Sequence, residues 1–170
     1  MRRYNHSFPM VLVGLFLFVT LGTITGCQTT SNRYIGKTVP EPNRISLPEG
    51  KTQSNVWQTK DLVFQYTYHR KSNKLSLTGE LALDESYEQY STLRYLYLWV
   101  HFLDSEGNIL DSKLAWSVVS QIAYTGEKKK WDVKSSCDLP LTSTAATFSY
   151  SGLVTGKGQG NWSFYKSPLT

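Results

Sequence analysis

The chain has 170 residues, a formal charge of +5 at neutral pH and an aromatic content of 14%. That length favours a single domain with enough chain for a real core. The charge is mild and does not imply nucleic-acid binding, which wants a clustered basic face, so no nucleic-acid partner is expected. Eleven tyrosines and five tryptophans suit β-structure, where aromatic side chains fit a pleated, half-buried surface.

In chain order, the first element has the parts of a secretory signal. Arg2 and Arg3 supply a positive start, Val11 to Val19 an apolar run, and Thr20 to Gly26 a small, weakly polar approach to a cut site. The apolar run is far short of the roughly 20 residues a spanning helix needs. Pro9, Gly14 and Gly22 also punctuate it. A retained transmembrane helix is the competing reading.

The residues Ile24, Thr25, Gly26 and Cys27 resemble the end of the signal in bacterial lipoprotein precursors. The resemblance covers about the first 27 residues. It implies cleavage before Cys27, a thioether diacylglyceryl group on its sulfur and an acylated amine. Gln28 in place of Asp resembles an outer-membrane sorting signal, which implies the periplasmic face of that membrane. Acyl chains bind at about 0.8 kcal/mol per buried methylene, so two or three of them anchor stably. An ordinary secreted protein with a buried cysteine near its start is the alternative. Cleavage would leave 144 residues and remove Arg2 and Arg3 but no acid, which lowers the formal charge to +3. A lipidated Cys27 would leave Cys137 a solitary, buried thiol, in a fold held by packing.

The organisation expected is a signal peptide at 1–26, a lipidated N-terminus and flexible tether at 27–55, and one β-sandwich domain at 56–170. The tether is rich in Pro, Ser, Thr and Asn and shows no apolar period. About 28 such residues would span roughly 30 Å on average. An extended piece at Ile45 to Leu47 could pack on the domain as an edge strand.

From Val56 the period is two. Leu62, Phe64, Tyr66 and Tyr68 share one face, and Leu75, Leu77, Leu81 and Leu83 share another, with a turn at 71–73 between the runs. Gly79 falls on the apolar face, where a bulge or a close approach is expected. Residues 84–91 read as a loop or one helical turn. The strongest strand is 92–104. Leu96, Leu98, Val100 and Phe102 form one face, and Tyr95, Tyr97, Trp99 and His101 the other. Residues 105–108 have hairpin-turn chemistry. The returning strand carries Leu110, Leu114, Trp116 and Val118. Short strands are expected at 121–124, 130–135 and 145–154. A glycine-rich segment at 155–161 and a last strand at 162–165 follow. The fold class expected is all-β, an immunoglobulin-like antiparallel β-sandwich of about seven or eight strands.

The segment 75–152 also resembles the FxLYD-type immunoglobulin-like domains of bacterial envelope proteins. Leu77-Thr78-Gly79-Glu80-Leu81, Leu98 through Asp104, Gly107-Asn108-Ile109-Leu110 and Thr147-Phe148-Ser149-Tyr150 carry it. The chain departs from that pattern at Leu103, where a tyrosine is usual. It departs again at Lys128-Lys129-Lys130, where a Pro-Gly turn is common. The resemblance implies fold and location, not activity.

The best site candidate is the row Tyr95, Tyr97, Trp99 and His101. Aromatic rings with polar tips can stack on sugars or dock a partner strand; the competing reading is a core layer. His69 and His101 are the histidines left after cleavage, too few with one distant Cys for a metal set. No Gly-x-Ser-x-Gly elbow exists to support catalysis. Residues 104–108 hint at a calcium loop, but the Gly comes fourth and Ala115 stands at position twelve, so the spacing is that of a turn. Lys128, Lys129 and Lys130 could meet lipid phosphates. The Gly156–Gly160 stretch lacks the strand–helix context of a phosphate loop. Asn161-Trp162-Ser163 matches a glycosylation acceptor. The expectation is a non-catalytic binding or accessory subunit of an envelope assembly, with no cofactor, no metal and a protein partner. The alternative is a small-ligand or glycan-binding lipoprotein that uses Tyr95, Tyr97 and Trp99.

Overall fold

The structure, a computed structural model, describes residues 32–87, 90, 92–123, 130–156 and 160–170. Cys27, Lys128 and Lys129 lie outside the described residues. Nine strands run in order: β1 (Ile45–Ser46), β2 (Thr52–Gln58), β3 (Leu62–Lys71), β4 (Lys74–Leu83), β5 (Thr92–Leu103), β6 (Ile109–Ala123), β7 (Lys130–Asp138), β8 (Ala145–Gly156) and β9 (Gly160–Lys166). They form two antiparallel sheets. One has the order β1-β8-β5-β6, with β9 also paired to β8; the other has the order β2-β3-β4-β7. Among the described residues no helix is long and apolar enough to cross a membrane.

Alternation explains the core. Leu62, Phe64, Tyr66 and Tyr68 of β3 and Leu75, Leu77, Leu81 and Leu83 of β4 are all buried. They face Leu96, Leu98, Val100 and Phe102 of β5, each fully buried. Phe148 of β8 inserts between the sheets, edge-on to Phe64 at 5.5 Å and to Tyr66 at 5.1 Å. Two facing apolar layers of this kind are the sandwich expected. The connectivity fits the immunoglobulin-like class: β3, β4 and β7 lie side by side in one sheet and β9, β8, β5 and β6 in the other, with the chain crossing between the sheets from β4 to β5, from β6 to β7 and from β7 to β8. β2 adds an extra edge beside β3.

The β5–β6 hairpin turns at 104–108. The Asp104 carboxylate accepts from the backbone N–H groups of Glu106 (2.9 Å) and Asn108 (2.8 Å) and from the Asn108 side-chain amide (3.1 Å). The Asn108 backbone hydrogen bond is the main reason its carboxyl is held below the usual range. Gly107 supplies φ +91°, a conformation that favours glycine. The carboxylate of the suspected calcium loop is thus committed to the turn.

Three differences from the sequence reading have physical reasons. First, β6 continues through Gln121, Ile122 and Ala123 rather than breaking before a separate strand. Second, its facing changes within the strand. Leu98 pairs with Trp116 and Trp99 with Leu114, so Ala115 is an extra, bulged residue. Leu114 therefore faces outward beside Trp99, while Trp116 packs against the core.

Third, the segment read as a tether enters the fold. Ile45 and Ser46 pair with Ala146 and Ala145, as the edge-strand reading allowed. Gly36 N–H donates to the Ile109 carbonyl at 2.8 Å and Val39 N–H to the Gly107 carbonyl at 2.9 Å. Val39 and Leu47 are buried. β2 begins at Thr52 and adds an edge to the second sheet. These contacts account for the strand count of nine.

Cys137 is buried opposite Leu75, as a packed residue should be. Its sulfur is disulfide-bonded, not the solitary thiol expected.

Candidate binding face

Strand register places the candidate side chains in rows across the five-stranded sheet. Tyr97 lies between Ser117 of β6 and Ser151 of β8, and Ser151 pairs onward with Tyr165 of β9. Trp99 lies between Leu114 and Ser149, and Tyr95 between Val119 and Leu153. Directly opposed residues share a sheet face, so these rows form the outer surface. Tyr95 stacks on Tyr97 at 5.2 Å, and Tyr97 meets Trp99 at 6.3 Å. All three rings are half-buried. They pack on one another along the strand, and the small serines beside Tyr97 and on one side of Trp99 leave ring edges open there. The outer face of the other sheet is polar: Gln65, Thr67, His69, Ser76, Thr78 and Glu80 occupy its middle.

His101 departs from the expectation. It continues the row but is 2% exposed, so it is not part of an open face. Its Nδ1 lies 2.7 Å from Ser112 Oγ and its Nε2 2.7 Å from Ser149 Oγ. The Tyr34 ring covers it edge-on at 5.5 Å. Burial, then the positive charge of Arg33, lowers its pKa from 6.5 to about 4. The imidazole is therefore neutral, with one N–H to donate and one lone pair to accept. One serine accepts from it and the other donates to it.

This Ser–His–Ser group meets the distance criterion for a nucleophile beside a base, but little else favours catalysis. Both ring nitrogens go to serines, with no carboxylate to orient the ring. A base with pKa about 4 is poorly matched to work near neutrality. The flanking strands of β5 use their N–H groups in the ladders. The chemistry is that of a satisfied polar plug.

The plug has a pH signature. The folded pKa is depressed relative to the unfolded one, so acid favours the unfolded chain. Its contribution is fully present above about pH 6.5 and is lost as pH falls toward 4, by up to about 3 kcal/mol. In urea titrations, His101→Gln should show a smaller loss between pH 7 and pH 4.5 than the parent. An identical loss in both would refute the assignment.

Beside the row lies a cavity of about 200 Å³. Trp99, Tyr34 and Tyr165 wall it, His101, Ser112, Ser149 and Ser151 form polar lining, and Arg33 and Lys166 stand at it. Arg33 holds its guanidinium 4.4 Å from the Tyr34 ring centre. Alternation located Trp99 and His101, but Arg33 and Tyr34 come from a segment with no period and Tyr165 from a short edge strand.

The other predicted residues do not join this group. His69 is on the opposite sheet, with Nδ1 3.2 Å from Thr52 Oγ1. Lys130 is exposed and ion-paired to Glu80 at 2.7 Å; such surface pairs contribute about 0–1 kcal/mol. Among the described residues no cluster of three or more His, Cys, Asp or Glu could hold a metal ion.

Sequence reasoning missed a second polar centre. Asp61 is 4% exposed. Its Oδ1 accepts from the Tyr87 hydroxyl and its Oδ2 from the Tyr150 hydroxyl, both at 2.6 Å. Burial first, then hydrogen bonding to Asp61, raises both phenol pKa values. This group lines a cavity of about 590 Å³ shared with Trp162, Phe164 and Lys166. No family profile, curated protein or solved structure matches the chain, so function rests on the chemistry of these sites.

Proposed function

We propose that the chain is a non-catalytic binding protein of the cell envelope, anchored by lipid on Cys27 at the periplasmic face of the outer membrane and accessory to a protein assembly there. One observation carries the binding reading. The Tyr95–Tyr97–Trp99 ladder is half-exposed on one outer sheet face, while the opposite outer face is polar. Aromatic side chains are enriched at interfaces because a large apolar body comes with few rotamers to freeze. Sheet hydrogen bonds hold this row on both sides, which favours recognition by a preformed surface. The Ile24-Thr25-Gly26-Cys27 sequence supports the anchor.

In-cell crosslinking of the full chain, followed by membrane solubilisation, should recover a defined protein complex. Paired Tyr97→Ser and Trp99→Ser changes should abolish it without unfolding the chain. Recovery of monomer alone would argue strongly against the accessory role. Cys27→Ser should release the protein from the membrane fraction. The disulfide at Cys137 counts against the anchor, because a thioether on Cys27 and a disulfide joining the chain's two cysteines are alternative fates of one sulfur. Intact mass therefore tests the anchor directly: added acyl mass supports it, and an unacylated Cys27 bonded to Cys137 overturns it.

A second reading, small-ligand or glycan binding, is favoured by the cavity beside Trp99. Its walls are rings and its floor is hydroxyls, the combination that receives a sugar's C–H face and its hydroxyl edge.

A further inference from the structure

We propose that the cavity between Trp99 and Tyr165 binds a single sugar ring that carries one anionic group, such as a uronate or a sugar phosphate. The inference deepens the glycan reading and rests on it.

Size sets the first limit. A cavity of about 150 Å³ takes one benzene ring, so about 200 Å³ takes one substituted six-membered ring and not a chain of them. The lining sets the second. Three rings, Trp99, Tyr34 and Tyr165, present flat apolar surface, and Trp99 is fixed by Tyr97 at its side. Of Ser112 and Ser149, the one that accepts from His101 keeps its proton to give, the one that donates to it keeps a lone pair, and Ser151 can do both. An all-apolar ligand would leave Ser149, itself 4% exposed, facing carbon. A ring edged with hydroxyls matches it.

Charge sets the third limit. Arg33 and Lys166 line the cavity and no Asp or Glu side chain does. Arg33 is steadied by stacking on Tyr34, and a guanidinium is suited to a carboxylate or phosphate. Lys166 Nζ donates to the main-chain oxygen of Thr170 at 2.7 Å and has two further protons to give. His101 stays neutral beneath them, so its N–H and lone pair hold the serine hydroxyls in place without adding charge.

The test titrates the purified full chain with sodium glucuronate, glucose and sodium acetate, observed by ligand NMR and calorimetry. Glucuronate should bind at least about tenfold more tightly than glucose, a difference of about 1.4 kcal/mol, and acetate should not saturate. Trp99→Ala should remove glucuronate binding. Arg33→Gln should bring glucuronate down to the level of glucose and leave glucose unchanged. Near-UV circular dichroism checks that each variant is folded. Equal, Trp99-dependent binding of glucose and glucuronate would overturn the anionic assignment and leave the glycan reading standing. Failure of both sugars to saturate at millimolar concentration, or saturation that survives Trp99→Ala, would overturn the site itself.

Discussion

Replacing Asp61 with alanine should lower the unfolding free energy by about 3–5 kcal/mol, read from urea denaturation at neutral pH. Hydrogen bonds to a charged group are each worth about 1.5–3 kcal/mol, and Asp61 receives two at 2.6 Å from Tyr87 and Tyr150. Its loss leaves the buried Tyr87 O–H without its acceptor, although the oxygen keeps its hydrogen bond with Trp162. Tyr150 keeps a contact with Thr59 Oγ1 at 3.0 Å, which limits the damage there. The group also ties distant parts together. Asp61 sits just before β3, Tyr87 in the 3-10 turn Glu85–Tyr87, and Tyr150 in β8 of the other sheet. Tyr87→Phe should cost less, about 1–2 kcal/mol, because the carboxylate keeps its second donor. Set against a typical total of 5–15 kcal/mol, the alanine change would leave the domain marginal. A loss below about 1 kcal/mol would show that the carboxylate is not the latch described.

Gly79→Val should be more damaging, with a loss above about 4 kcal/mol or no soluble protein. Gly79 lies in β4 between Leu77 and Leu81 and opposite Tyr66. A Cβ there would fall 2.2 Å from the Gln65 carbonyl oxygen and 2.9 Å from both Phe64 Cε2 and Tyr66 Cα. Two of those three atoms are backbone, so relief requires shifting the β3–β4 ladder. A smaller neighbour is no remedy: adding Phe64→Leu should not restore stability. Rescue by that second change would place the conflict in the side chain and refute the backbone account. Solubility and thermal melting of the single and double variants decide it.

These two positions mark what a single sequence reveals. Gly79 was legible because it interrupts an alternating run, and glycine at an apolar position implies close approach. Asp61 was not, because its partners stand 26 and 89 residues away and nothing local announces them. The long alternating strands β3, β4, β5 and β8 were readable for the same reason as Gly79. β2 was hidden because it is an edge strand with most side chains in water and one, Trp57, half-buried, which leaves no alternation to see. The facing of Leu114 was misjudged because a bulge changes parity without a composition signal. For the candidate face, alternation put Tyr95, Tyr97, Trp99 and His101 on one side. It could not show that Ser112, Ser149 and Tyr34 would close over the last of them.

The docking of the N-terminal segment onto β6 also fixes a length of leash. From Cys27 to Arg33 there are six residues, which reach at most about 22 Å when fully extended. With lipid on Cys27, as proposed, Arg33 and the cavity rim beside it must stay within that distance of the anchored sulfur. A spacer running to Asn55 would have let the domain roam well clear of the bilayer. The shorter leash confines any ligand of that cavity to the layer of the envelope nearest the membrane. It also predicts that a long, mobile polymer would be met at its membrane-proximal end.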